Sequence, residues 1–146
     1  MAEHNTIFLT ADQSHMLLLE DDPAAKEYLE SVVASFGFRI EHAATVAAAH
    51  RAMERRRFQI IVMDLSLPDG NGSETFDAIR VRSGNTPIIV LTEMEDEKLA
   101  RELTGRGAHD YLVKSRSNPA MIENAVERAL ELRRTQKELS KEKVLL

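Results

Sequence analysis

Cysteine is absent from the 146 residues, which excludes disulfide frameworks, thiolate metal centres and cysteine nucleophiles. Long apolar runs are absent too. Met16–Leu19 is as long as any in the chain, far short of the roughly 18 residues a membrane span needs. The amino terminus lacks the basic stretch and apolar core of a secretory signal, so a cytoplasmic chain with no membrane contact is expected. A surplus of positive charge is also missing. Lys and Arg total 19 against 24 Asp and Glu, a net charge of −5, and direct nucleic-acid binding by this segment is not expected. No Gly-rich phosphate loop follows the first apolar run, which argues against a nucleotide carrier.

What is present is a chain that is 43% hydrophobic, long enough for one domain that buries roughly two thirds of its unfolded surface. Five short apolar runs, Met16–Leu19, Phe38–Ile40, Ile60–Leu65, Pro87–Leu91 and Asp110–Val113, alternate with segments of helical periodicity. Several of the runs lack polar alternation, as strands buried on both faces of a parallel sheet do. The first helical stripe is Ala25, Tyr28, Leu29, Val32, Val33 and Phe36, ending at Gly37. The second spans Thr45 to Arg56 with Thr45 as N-cap, the third follows Gly72-Ser73, and the fourth runs from about Asp96 to Thr104. This order predicts an α/β fold: a flavodoxin-like, doubly wound, five-stranded parallel sheet, (βα)5, with ligands at the carboxyl ends of the strands.

The fifth helical segment starts near Asn118-Pro119 and meets no Gly or Pro before the end. It can exceed 25 residues, about 37 Å or more, whereas covering a sheet face takes about 12 to 15 residues. Ile122, Ala125, Ala129, Leu132, Gln136, Leu139, Lys143 and Leu146 follow a 3-4 spacing, so the second half reads as a coiled-coil extension. The expected organisation is a loosely ordered leader over 1–14, a domain over 15–132 and a helical extension over 133–146. Residues 1–119 carry a net −6 and residues 120–146 a net +1, so the acidity belongs to the globular part.

Parallel strands bring Glu20-Asp21-Asp22, Asp64, Thr92 and Lys114 to one edge. Asp22 before Pro23 reads most simply as a helix N-cap followed by Pro at N1. Asp64 interrupts Ile-Ile-Val-Met-Asp-Leu, where an ionised side chain is costly without a partner. Crowded carboxylates repel unless a cation sits among them. An open set of few oxygen ligands suits Mg²⁺, often completed by a phosphate oxygen. A carboxylate beside such a cation can attack phosphorus to give an acyl phosphate, and a Lys ammonium and a Thr hydroxyl suit the transferred oxygens.

These motifs, LLLEDDP (17–23), VMDLSLPDGNG (62–72), PIIVLT (87–92) and GAHDYLVK (107–114), resemble the receiver domains of two-component response regulators over about Met16 to Leu132. The spacings of 43 residues from Asp21 to Asp64 and 22 from Thr92 to Lys114 fit that family. The resemblance implies that Asp64 is the phosphoacceptor, served by a histidine kinase or a histidine phosphotransfer protein. It implies Mg²⁺ on Asp21, Asp64 and the Ser66 backbone carbonyl, with Glu20 acting mainly through water. Thr92 is then the switch hydroxyl, Lys114 pairs with the phosphoryl group, and Tyr111, otherwise an ordinary packed aromatic, is the rotamer switch. The output face is the fourth helix, fifth strand and fifth helix, with a homodimer through that face or through the C-terminal helix. The implied chain is a signalling phosphoacceptor that assists its own phosphorylation and dephosphorylation rather than an enzyme.

Three departures from the family stand out. Glu93 follows Thr92 where a small residue is usual; it either slows phosphorylation or is held outward. The acids from Glu93 to Glu97 read as the first turn of the fourth helix. Ser115 follows Lys114 in place of a common proline, so a trans Lys114–Ser115 bond and a shifted following loop are expected, a non-proline cis bond costing about 2.5–4 kcal/mol. The stretch from Asp64 to Thr92 is about two residues short, which predicts a trimmed third helix or Ser83-Gly84-Asn85 loop. Competing functions are a degenerate receiver used as a dimerisation or docking scaffold, and a phosphohydrolase with an aspartyl nucleophile. The second is disfavoured because Ser66 stands where such enzymes carry an acid. No DNA-binding helix-turn-helix pattern is present, and the charged, periodic segment after Arg133 suggests that the helix drives a following domain.

Overall fold

A computed structural model describes residues 15–145, leaving the side chains of 136–138 and 140–145 outside the description. Residues 1–14, Leu146 and the side chains of the seam residues Gln136 and Lys143 therefore lie outside the described structure. The elements run β1 (His15–Leu19), α1 (Pro23–Val33), β2 (Arg39–Ala43), α2 (Val46–Arg55), β3 (Ile60–Met63), α3 (Ser73–Ser83), β4 (Ile88–Thr92), α4 (Glu97–Gly105), β5 (Asp110–Val113) and α5 (Pro119–Leu145). All pairings are parallel, in the order β2-β1-β3-β4-β5.

The three inner strands are apolar on both faces because both faces are covered. Leu17, Leu19, Ile61, Met63, Ile88 and Val90 point into a core shared with α2, α3 and α4. Their neighbours Met16, Leu18, Ile60, Val62, Ile89 and Leu91 point into a second core built with α1 and α5. The period-two alternation therefore sorts one set of strands between two cores, and the edge strands β2 and β5 are only partly buried.

Local chemistry starts and stops the helices. Asp22 accepts from the Ala24 N–H at 3.1 Å, with Pro23 at the first helical position. Thr45 accepts from the Ala48 N–H, and Asp96 from the Leu99 N–H. The α1 stripe ends earlier than its periodicity suggests: the helix tightens into a 3-10 turn over Ala34–Phe36 before Gly37, whose φ of 78° is the left-handed conformation expected of that glycine. Within the α-helical part, Tyr28 stays 44% exposed at the margin of the stripe, whereas Leu29, Val32 and Val33 join the core. Of the acids 93–97, only Asp96 as N-cap and Glu97 belong to the start of α4; Glu93 and Glu95 lie in the preceding loop. Between Asp64 and Thr92, α3 ends at Gly84 and only a short connection separates it from β4.

The fifth helix runs 27 residues. Ile122, Ala125, Val126, Ala129 and Leu130 are buried against the sheet, whereas Met121, Leu132 and Leu139 are 41%, 47% and 56% exposed. The apolar seam thus leaves the domain's own core at about Leu132. Among the described residues no peptide bond is cis, so Lys114–Ser115 is trans, and a 3-10 turn over Lys114–Arg116 leads toward α5.

One cap crosses the molecule. Asp69, in the loop after β3, accepts from the Val46 N–H at 2.8 Å and the Ala47 N–H at 3.1 Å, tying that loop to the start of α2. The Val46 hydrogen bond is the main reason its carboxyl lies below the ordinary aspartate value, against a smaller opposing effect of burial. Its contribution to stability is therefore complete above the unfolded value of about pH 4 and is lost as pH falls through the lower folded value. We expect Asp69→Ala to cost about 1 kcal/mol at pH 7. In urea titrations across pH, a gap from wild type that fails to narrow below about pH 4 would contradict this assignment. Next to it, a Cβ at Gly70 would stand 2.7 Å from Thr75 Oγ1 and 3.3 Å from Val46 Cγ2. Gly70→Ala should lower stability by about 1–3 kcal/mol through overpacking, and an unchanged urea midpoint would refute that.

Candidate functional site

Register decides what meets at the carboxyl edge. Leu19 pairs with Met63, Met63 with Val90, and Thr92 with Val113, so the next residues, Glu20, Asp64 and Lys114, emerge side by side with Thr92. The Asp64 N–H still donates to the Leu19 carbonyl at 2.9 Å, and the Glu20 N–H to the Ala43 carbonyl at 3.0 Å. The sheet's hydrogen bonding thus continues one residue into the site.

Glu20 is 1% exposed, Asp64 7% and Thr92 1%. Two carboxylates this deep need compensation, and one ammonium supplies it. Lys114 Nζ donates to Glu20 Oε1 at 2.6 Å and to Asp64 Oδ2 at 2.8 Å. Burial by itself lowers the Lys114 pKa, but the hydrogen bonds and charges of Asp64 and Glu20 outweigh it and leave the group above the ordinary lysine value. The other Asp64 oxygen, Oδ1, accepts from Thr92 Oγ1 at 2.8 Å and from the Ser66 N–H at 3.1 Å. Glu20 Oε2 accepts from the Asp22 N–H at 3.1 Å.

Of the residues singled out in the sequence, Glu20, Asp64, Thr92 and Lys114 form this hydrogen-bonded cluster, and Ser66 joins it through its backbone. Asp21 is exposed on the adjoining turn. Tyr111 stands one link away: its hydroxyl donates to the Met94 carbonyl at 2.7 Å, and the Met94 N–H donates to Thr92 Oγ1 at 3.4 Å. Burial, then the negative charges of Asp96 and Asp64, push the Tyr111 phenol above its usual value, so it remains a donor at neutral pH. Glu93 is exposed, the outward alternative anticipated for that departure.

Asp69 and His42 escaped the reading of the sequence, as did the contacts that Met94 makes. Met94 joins Thr92 to Tyr111 through its backbone, and its thioether lies 3.9 Å from Ser66 Oγ. The Asp69 cap had a signal in the PDGNG turn, since Asp in such turns commonly binds nearby backbone N–H groups. His42, whose Nε2 bonds the Glu20 carbonyl, had none.

The donor chemistry bears on which cation would fit. Every candidate ligand is an oxygen, and among the described residues no three Asp, Glu, His or Cys side chains converge into a metal-holding group. A softer metal held wholly by protein ligands is poorly served by this set. Mg²⁺, which keeps several waters and takes one or two carboxylates, suits an all-oxygen donor set of this kind. Beside Lys114 an apolar cavity of about 100 Å³ opens between α1 and α5, lined in part by Tyr28, Leu29 and Ile122. Among the described residues no helix is long and apolar enough to cross a membrane.

Comparison with known proteins agrees with this architecture. The family described as "Response regulator receiver domain" matches residues 16–127. The photosynthetic apparatus regulatory protein RegA of Rhodobacter capsulatus is 38% identical over 114 residues, covering 78% of this chain and 61% of that protein. The chain therefore spans about three fifths of that relative's length. A signal receiver domain from Vibrio parahaemolyticus superposes with a TM-score of 0.79 at 28% identity, over 87% of this chain and 97% of that one. The receiver domain of a sensor histidine kinase from Pseudomonas aeruginosa PAO1, described with a magnesium ion coordinated in its active-site cleft, gives 0.68 at 30% identity over 81% and 98%. With its five-stranded parallel sheet and a family match over most of its length, the chain belongs to the receiver domains of two-component response regulators.

Proposed function

We propose that Asp64 accepts a phosphoryl group from a phosphohistidine on a histidine kinase or a histidine phosphotransfer protein. The observation that carries this reading is the placement of Asp64. Lys114 holds one carboxylate oxygen, Thr92 and the Ser66 N–H hold the other, and the group is 7% exposed. In the reaction a carboxylate oxygen forms the new bond to phosphorus as the phosphorus–nitrogen bond breaks, its electron pair returning to the donor imidazole. Asp21, Asp64 and the Ser66 carbonyl would hold Mg²⁺, with Glu20 acting through water. The cation supplies neutralisation of the phosphoryl oxygens. Lys114 is placed to pair with one of those oxygens and Thr92 to donate to another. The same groups would assist hydrolysis of the acyl phosphate.

The output would run through Thr92. When its hydroxyl turns from the carboxylate to a phosphoryl oxygen, the Met94 N–H loses its acceptor, and the Met94 carbonyl carries the change to Tyr111 on β5. Met121, Leu132 and Leu139 on α5 are separated by 11 and 7 residues, spacings that put them on one side of a helix. This exposed stripe suits a second copy of the chain or a following domain, and the cavity beside Lys114 suits a side chain of the phosphodonor protein. The exposure of Glu93, the main support for a degenerate scaffold, favours the phosphoacceptor reading.

Incubation with Mg²⁺ and a small phosphoryl donor should add about 80 Da to the intact mass and add nothing to Asp64→Ala. Steady turnover of unrelated phosphoesters would favour a hydrolase instead, and no adduct on the wild type would favour a scaffold. Lys114→Ala leaves two buried carboxylates without their shared cation, so it should lower stability by about 3 kcal/mol. Millimolar Mg²⁺ should then raise its melting temperature more than that of the wild type, and equal increments would count against a cation site at these carboxylates.

A further inference from the structure

The turn that carries Asp21 is braced on every side except at Asp21 itself. The Glu20 N–H is bound to Ala43, the Asp22 N–H to Glu20 Oε2, and the Ala24 N–H to Asp22 Oδ1. The remaining fixed point is the Glu20 carbonyl, which receives His42 Nε2 from the neighbouring edge strand. His42 shares the α1 side of the sheet with Ile40, two positions earlier. Its partner in the strand register is Leu18, two residues before Glu20, so the imidazole reaches forward along the sheet to the site edge.

That bond sets the plane of the Glu20–Asp21 peptide. The peptide plane in turn limits the directions in which the Cα–Cβ bond of Asp21 can leave the turn, because one soft dihedral, the φ of Asp21, lies between them. Lys114 and the Asp22 N–H already hold the Glu20 carboxylate. Asp21, exposed and outside that network, depends on its backbone for aim. We infer that His42 is a positioning residue: through the Glu20 carbonyl it orients the Asp21 carboxylate for Mg²⁺. The role is indirect, since His42 touches the peptide behind the ligand and not the cation. Outer groups of this kind hold first ligands in place, and their loss typically weakens metal binding by about tenfold or more. A carbonyl accepts but cannot donate, so the geometry requires a proton on Nε2.

The inference rests on the proposed cation site, and the tests separate the two. Mg²⁺ is titrated into the full chain by calorimetry for the wild type, His42→Ala and His42→Gln, with melting temperatures recorded without the cation. We expect His42→Ala to weaken Mg²⁺ binding about tenfold while changing the melting temperature little. His42→Gln, whose amide N–H can donate to the same carbonyl, should recover most of the affinity. Nitrogen NMR of the wild-type ring, without Mg²⁺, should show a protonated Nε2. A folded His42→Ala that binds Mg²⁺ as the wild type does, or a ring protonated only on Nδ1, overturns the assignment. Wild-type protein that binds no Mg²⁺ overturns the proposed cation site instead. Should His42→Ala fail to fold, His42→Phe, which keeps a ring but cannot donate, takes its place: a Mg²⁺ affinity below that of His42→Gln supports positioning, and equal affinities oppose it.

Discussion

One ammonium between two buried carboxylates is the constraint on which the site depends. Glu20 and Asp64 follow adjacent, hydrogen-bonded strands, and the parallel register gives them no means of moving apart. Without Lys114, burying both as anions would cost more than the surrounding hydrogen bonds return. With it, one Asp64 oxygen is held, and the second is left to Thr92 and Ser66. The fold contributes by making the alignment unavoidable, since three consecutive inner strands packed on both faces cannot slip by a residue without turning core side chains to the wrong side.

The two-core arrangement also gives the site's elements separate foundations. Strands β1, β3 and β4 belong to both cores, so the ends carrying Glu20, Asp64 and Thr92 are the most firmly held. Lys114 sits at the end of a half-buried edge strand and is followed by a short 3-10 turn. The supports most free to shift are thus on the β5 side, where Tyr111 and the start of α5 lie. Local opening is easiest where such buried contacts are few.

Much of this was legible in the sequence. Unbroken apolar runs announced inner strands of a parallel sheet, and Asp22-Pro23, Thr45 and Gly37 marked helix ends through chemistry that acts over three or four residues. Asp64 was conspicuous because a charge inside Ile-Ile-Val-Met-Asp-Leu demands a partner. Elements held by tertiary contacts were harder to read. Strand β2 runs through Glu41 and His42 because β1 pairs with it, although neither residue favours burial. In the α1 stripe Leu29, Val32 and Val33 are buried and Phe36 packs partly buried beyond the 3-10 turn, but Tyr28 at the margin of the stripe stays exposed. Asp69 capping a helix more than twenty residues earlier, and His42 reaching the Glu20 carbonyl, are long-range bonds to backbone groups, and no local pattern encodes so distant a backbone partner.

The Tyr111 hydroxyl binds residue 94 through the main chain. A carbonyl is the same whichever side chain the residue carries, so the link between the fifth strand and the loop after Thr92 does not depend on methionine being there. The thioether, directed toward Ser66 at the mouth of the cluster, is the separable part. Position 94 can therefore exchange side chains, changing what meets Ser66 at the mouth of the cluster, while the hydrogen bond from Tyr111 to its carbonyl stays intact.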